Sequence, residues 1–129
     1  MSRRAIALLL GASLAASVLT GPAAAATDTT PPSVPTILSV FEYQFLELSF
    51  SYSLSTDDVT PKAAITYELY LDGAFESDIN PFIRPQFPNS SVAFAYAHAP
   101  GPVTLTMRAV DAVGNKSALS NAITVTAIE

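Results

Sequence analysis

Apolar and polar residues alternate along most of this chain with a period of two. That is the pattern of a strand with one face buried and the other in solvent. It is cleanest over residues 46–54, where Leu46, Leu48, Phe50, Tyr52 and Leu54 share one face and Glu47, Ser49, Ser51 and Ser53 the other. Ile65, Tyr67, Leu69 and Leu71 repeat the pattern against Thr66, Glu68, Tyr70 and Asp72. Asp72-Gly73 then signals a tight hairpin, with residues 74–77 returning as a short edge strand. Val92, Phe94 and Tyr96 alternate with Ala93, Ala95 and Ala97. After the Ala99-Pro100-Gly101-Pro102 turn, residues 103–110 and 121–127 form two strands around a polar turn that starts at Asp111. A short first strand is expected at 37–41. The 55–63 stretch, with Asp57, Asp58 and Pro61, reads as a loop. Beyond residue 25 no segment sustains a 3.6-residue period. The expected fold is all-β, a seven-stranded sandwich of two sheets.

The first 25 residues follow different rules. Arg3 and Arg4 precede an apolar run over residues 5–18, Gly21-Pro22 breaks it, and Ala23-Ala24-Ala25 offers a small-residue cleavage site. The run falls short of the ~20 apolar residues a membrane span needs. Residues 1–25 therefore read as a secretory signal peptide, by the general or the twin-arginine route, and the mature chain is expected to be extracellular. Residues 26–35 form a proline-rich lead-in and 36–129 the sandwich.

The full chain carries a formal charge of −5, which becomes −7 once Arg3 and Arg4 leave with the signal peptide. Such a chain repels phosphate backbones and anionic membranes, so neither nucleic acid nor a membrane surface is an expected partner. Cysteine is absent, which removes disulfides, thiol chemistry, thiolate metal sites and a lipid anchor at once. No cofactor is expected.

Three segments carry a family resemblance. They are the lead-in Asp28-Thr29-Thr30-Pro31-Pro32-Ser33-Val34-Pro35, the stretch from Leu48-Ser49-Phe50 through Ser55-Thr56-Asp57-Asp58 to Thr66-Tyr67-Glu68-Leu69-Tyr70-Leu71-Asp72-Gly73, and Arg108-Ala109-Val110-Asp111-Ala112-Val113-Gly114-Asn115-Lys116-Ser117. In this order they resemble the fibronectin type III domains of secreted bacterial, actinobacterial-like proteins. Phe50 stands where that family usually has a core tryptophan, and Val103 where it usually has a tyrosine. The 78–89 stretch is unlike the family's short connection. The resemblance implies a spacer or binding module of the kind found beside polysaccharide-degrading enzymes.

Three sets of residues could carry function. The Asn80–Asn89 loop holds three prolines together with Phe82, Ile83, Arg84 and Phe87, residue types that anchor interfaces. One of its phenylalanines could instead close the end of the core. Asp57, Asp58 and Asp111, with Asp28 and Asn115, are oxygen ligands of the kind calcium takes, and the resembled topology gathers their segments at one end. Capping of turns by their own side chains is the simpler account. Tyr43, Tyr70 and Thr106 could form a solvent-facing aromatic strip for a polysaccharide. Asn89-Ser90-Ser91 and Asn115-Lys116-Ser117 match a glycosylation pattern that usually means nothing in bacteria. The single histidine, His98, lies in an Ala/Pro/Gly context and reads as an exposed loop imidazole. No nucleophile elbow accompanies it. The expectation is a non-enzymatic module that binds an extracellular protein or polysaccharide. The alternative is a small inhibitor that inserts the 80–89 loop into an extracellular hydrolase.

Overall fold

The computed structural model describes residues 27–129; the expected signal peptide lies outside the described residues. Seven strands follow in order: β1 (Ile37–Glu42), β2 (Glu47–Ser53), β3 (Thr66–Leu71), β4 (Ala74–Ile79), β5 (Ser90–Tyr96), β6 (Gly101–Val110) and β7 (Ile123–Ala127). One 3₁₀ turn, Lys62–Ala64, sits in the loop between β2 and β3. The strands form a three-stranded sheet of order β1-β2-β5 and a four-stranded sheet of order β4-β3-β6-β7, antiparallel throughout. This is the two-sheet sandwich that the alternation implies, with the fibronectin type III or immunoglobulin-like arrangement that the resemblance implies.

The core lies between the sheets. Leu48, Phe50 and Tyr52 of β2 face Tyr67 and Leu69 of β3 and Leu105, Met107 and Ala109 of β6, all essentially fully buried. Three rings run through its middle: Phe50 lies 6.1 Å from Tyr52, and Tyr52 meets Tyr67 edge-on at 4.9 Å. Burial pushes the Tyr52 phenol up to about 12. The Tyr67 hydroxyl accepts the Ser55 N–H at 2.7 Å, tying the β2–β3 loop to the core. A buried amide thereby finds a partner where no strand can supply one.

Strand β5 turns its alanines inward. Phe50 pairs with Ala93 and Leu48 with Ala95, while Ser49 pairs with Phe94, Ser51 with Val92 and Glu47 with Tyr96. Ala93, Ala95 and Ala97 are buried, and Val92, Phe94 and Tyr96 are exposed. Large rings on β2 and β3 leave room only for small side chains opposite, so packing reverses the face that hydrophobicity alone would bury.

Strand β7 begins at Ile123 rather than at 121. Before it, Ser117 and Ser120 occupy the β6 edge with their hydroxyls, which accept the N–H groups of Ala109 and Met107. Asn121 then bridges the sheets. Its Oδ1 accepts the Ile37 N–H at 2.8 Å and its Nδ2 donates to the Ile37 carbonyl at 3.0 Å. An amide side chain thus stands in for a strand partner of β1.

Candidate functional site

The outward face of the β1-β2-β5 sheet is the most unusual surface of the described residues. Its middle strand shows a column of Glu47, Ser49, Ser51 and Ser53. The register flanks that column with aromatic side chains. Phe41 and Phe94 both pair with Ser49, and Tyr96 pairs with Glu47. Tyr43 continues β1 past its last residue, donating its N–H to the Glu47 carbonyl at 2.8 Å. Phe41, Tyr43, Phe94 and Tyr96 are each more than half exposed. Strand spacing puts Phe41 and Phe94 roughly 10 Å apart across the column, and the pleat puts Phe94 about 7 Å from Tyr96. The face is therefore a strip of hydroxyls between two aromatic rails, with Glu47 as its charged group. The Ser39 and Ser51 hydroxyls bond each other at 2.7 Å and hold part of the column in place.

The hairpin that carries this face is strained at its tip. Phe45 and Leu46 both adopt φ of 65°, a region that costs a residue with a Cβ about 1–2 kcal/mol. Leu46 packs against the core, which accounts for its place. Phe45 is 81% exposed and buries little in return.

Of the expected strip, only Tyr43 belongs to this face. Tyr70 and Thr106 pair with each other on β3 and β6, in the opposite sheet, so the three residues do not form one surface. Tyr70 is half-buried beneath Phe75, at 6.0 Å, and the Arg108 guanidinium, at 5.5 Å.

The Asn80–Asn89 loop crosses from β4 to β5. Phe82 and Phe87 are both exposed, and Ile83 is the residue that packs against the core. Core closure therefore falls to the aliphatic side chain rather than to either ring. Arg84 stacks over the Phe87 ring at 4.8 Å, and the Phe87 N–H returns to the Arg84 carbonyl at 3.0 Å, closing a tight turn around Pro85-Gln86. The Ser91 hydroxyl accepts the Phe82 N–H and donates to the Phe82 carbonyl, both at 3.0 Å. Lys62 Nζ donates to Asn89 Oδ1 at 3.0 Å. The loop is pinned, and its two rings point into solvent.

The acidic segments do gather at one end. One carboxylate oxygen from each of Asp28, Asp57 and Asp58 lies within 4.8 Å of the others. Asp111 is next to them but has a different task. Its Oδ1 accepts the Val113 and Asn115 N–H groups and its Oδ2 accepts Asn115 Nδ2. It organises the turn that carries Gly114 at a φ of 96°. Asn115 Nδ2 also donates to the Asp28 carbonyl at 2.9 Å, fastening the lead-in. Burial alone would raise Asp111, but its bonds from Asn115 and Val113 hold it below the usual carboxylate range. Asp28 moves the other way. The Thr30 N–H pulls it down, yet desolvation, contact with Asp111 and the charges of Asp57 and Asp58 together raise it.

His98 is 77% exposed on its side chain, and its Nε2 meets Glu76 Oε1 at 2.7 Å. It lies in the turn between β5 and β6, at the opposite end from the aspartates, beside a shallow hollow lined by Leu71, Asp72, Pro100 and Pro102. Glu76 is its side-chain partner among the described residues, and no serine or threonine hydroxyl bonds its ring.

No protein-family model matches this chain, and no curated protein sequence matches it either. Solved structures do. The PKD domain of an M14-like peptidase from a Thermoplasmatales archaeon is 18% identical, with a TM-score of 0.55 over 79% of this chain and 100% of that one. The fibronectin type III domain of a human fibronectin type III domain containing protein is 13% identical, with a TM-score of 0.48 over 83% of this chain and 93% of that one. The spore cortex lytic enzyme of Clostridium perfringens is 10% identical, with a TM-score of 0.48 over 77% of this chain and 28% of that one. The PKD likeness agrees with the fold read from strand order.

Proposed function

We propose that this chain is a non-catalytic extracellular module that binds a polysaccharide through the outward face of its three-stranded sheet. The carrying observation is the pair of aromatic rails, Phe41 and Tyr43 on one side and Phe94 and Tyr96 on the other, around a column of serine hydroxyls. A sugar ring presents an apolar C–H face and a rim of hydroxyls. Rings can stack on the first while serines and Glu47 hydrogen-bond the second. The described outward face carries no basic side chain, so it suits a neutral polymer rather than an anionic one. Contiguous exposed apolar surface of this kind marks an interaction site more often than an idle one. The signal-peptide character of residues 1–25 supports a location outside the cell.

A second reading rests on the 80–89 loop. Phe82 and Phe87 project from a pinned turn with Arg84 stacked on one of them, which would suit a pre-ordered anchor in the cleft of an extracellular hydrolase.

Sedimentation with cellulose, chitin and bacterial cell-wall particles tests the first reading. The double variant Phe94→Ala/Tyr96→Ala is expected to weaken retention at least ~10-fold, the scale for truncating interface anchors, with little change in Tm because both rings are exposed. Unchanged retention in that variant would remove the face from consideration. Loss of hydrolase inhibition in Phe82→Ala/Arg84→Ala would favour the loop. The strained tip offers a further check. Phe45→Gly is expected to stabilise the fold by about 1 kcal/mol by relieving the positive φ. If Phe45 serves the binding face, the same change weakens retention, and thermal melts beside sedimentation separate the two effects.

A further inference from the structure

Strand β5 lies at an open edge of the three-stranded sheet. Its bonds to β2 run through the odd-numbered residues. The register that pairs Ala95 with Leu48 and Ala93 with Phe50 continues at both ends, where the Ala97 N–H meets the Leu46 carbonyl and the Leu54 N–H meets the Asn89 carbonyl, each at 2.9 Å. In an antiparallel ladder the residues in between turn their N–H and C=O groups the other way. Val92, Phe94 and Tyr96 therefore aim a row of backbone donors and acceptors away from the sheet, and none of these groups has a partner among the described residues. The 80–89 loop caps the row where it starts, with the Ser90 N–H at 3.5 Å from the Phe87 carbonyl.

An open edge is a template for another strand, and proteins guard such edges with charge, bulges or shortness. The other edges here are guarded. The register skips Leu38 in β1, which ends on Glu42, and skips Glu76 in β4, which also carries Asp78. Strand β7 has five residues and lies against β1. Strand β5 has seven residues with no charge, no proline, no glycine and no bulge. Its two ends differ in charge. Lys62 and Arg84 take part in no ion pair of the described residues, and both stand where β5 begins. Lys62 Nζ donates to Asn89 Oδ1 at 3.0 Å, and Arg84 lies over the Phe87 ring. Where β5 ends, His98 holds the Glu76 carboxylate at 2.7 Å, and Asp72 lines the same turn.

We propose that a second copy of this chain pairs antiparallel along β5, joining two three-stranded sheets into one continuous sheet about a twofold axis. With Phe94 opposite its own counterpart, Val92 stands opposite the partner's Tyr96, and the free backbone groups of both copies satisfy one another. On the outward face ring meets ring and valine meets tyrosine, cross-strand pairs that favour a ladder. On the inward face the side chains that meet are alanines, which leave room for the approach. The same register sets Ser90 opposite the partner's His98. Lys62 of each copy thereby approaches the partner's Glu76, and the symmetry makes this match twice. A parallel copy would set cation beside cation. A single strand edge buries well under the ~800 Å² per partner of a standard interface, so a weak dimer is expected, with Kd on the order of 10⁻⁵–10⁻⁴ M.

Sedimentation velocity of the chain without its leader, from micromolar to millimolar concentration and with no polysaccharide present, tests this. A monomer is expected to pass to a dimer and no further. Val92→Pro removes one donor from the open edge and no bond to β2, and is expected to weaken association at least ~10-fold. Val92→Lys lays a charge on the same edge with the backbone intact and should do the same, so the test survives if the proline disturbs the strand. Lys62→Glu and Glu76→Lys are each expected to weaken the dimer by about 5-fold, and the double variant to regain the parent's affinity. Val92→Lys and Val92→Pro keep Phe41, Tyr43, Phe94 and Tyr96, so particle retention measured at micromolar concentration should survive in them, which separates this pairing from the sugar-binding reading. A parent that stays monomeric at millimolar concentration overturns the proposal. So does a dimer indifferent to both Val92 variants, or a double charge swap no better than the single ones.

Discussion

Phe50→Ala is expected to destabilise the fold by about 3–5 kcal/mol, while Phe94→Ala, the same change one strand away, is expected to stay within about 0.5 kcal/mol. Both phenylalanines sit in the β1-β2-β5 sheet, at positions in adjacent strands. Phe50 is 1% exposed, lies against Tyr52 and is flanked by Val40 on β1 and Ala93 on β5, side chains too small to fill the space its ring would vacate. Phe94 is 62% exposed and pairs with Ser49 on the solvent side. A domain of this size holds about 5–15 kcal/mol in all, so the first change removes a large share of it. Urea titration reads the contrast directly: the Phe50→Ala midpoint should fall by about 2 M or more, and the Phe94→Ala midpoint should barely move. A large fall in the second would mean that β5 carries its rings inward, and the proposed binding face would go with it.

That contrast also marks how far the sequence alone reaches. Alternation in 46–54, 65–72 and 103–110 located β2, β3 and β6 and the side each buries, because large apolar residues and polar ones cannot trade faces there. In β5 the alternation was visible but its direction was not. Alanine and phenylalanine both rank as apolar, and only the bulk of Phe50, Tyr52 and Tyr67 on facing strands decides which one fits inside. The aromatic rails were illegible for the same reason. Phe41 and Phe94 lie 53 positions apart and meet only through the register of β1, β2 and β5. Tyr43, Tyr70 and Thr106 each sit at a position that reads as solvent-facing, but Tyr43 follows β1 in one sheet while β3 and β6 lie in the other. The acidic end is more legible, since the resembled topology already brings its segments together. The division of labour within it depends on single oxygen atoms. Asp111 spends both of its oxygens on its own turn, whereas Asp28 and Asp57 each leave one unused. Sequence cannot distinguish an aspartate that caps a turn from one that caps a turn and still has an oxygen to offer.

The second large effect belongs to Glu68, on the outward face of the four-stranded sheet. Its Oε1 accepts Arg108 Nε at 2.7 Å and the Tyr70 hydroxyl at 2.9 Å, and its Oε2 accepts Lys116 Nζ at 3.0 Å. Burial alone would raise this carboxyl, but the hydrogen bonds from Arg108, Lys116 and Tyr70 and the Arg108 charge outweigh it and hold the group down to about 2, against an ordinary 4.5. The folded state therefore keeps Glu68 ionised over a range where the unfolded chain has already taken up a proton. Its contribution is fully present above pH ~4.5 and disappears as pH falls toward 2. The shift in full corresponds to about 3 kcal/mol. Lys116 and Arg108 expose 43% and 31% of their side chains, so solvent screening brings the expectation to about 2 kcal/mol. Glu68→Gln keeps the shape and one acceptor but forfeits the charge. It should cost that amount at pH 7, and the difference from the parent should shrink as pH falls through about 2 and vanish below it. Urea midpoints from pH 7 to pH 2 measure the convergence. Asp111, also held below its usual range, should leave part of the parent's acid limb in place in the variant. A gap that stayed constant with pH would show that Glu68 acts by packing rather than by charge. One that widened toward acid would reverse the sign of the argument.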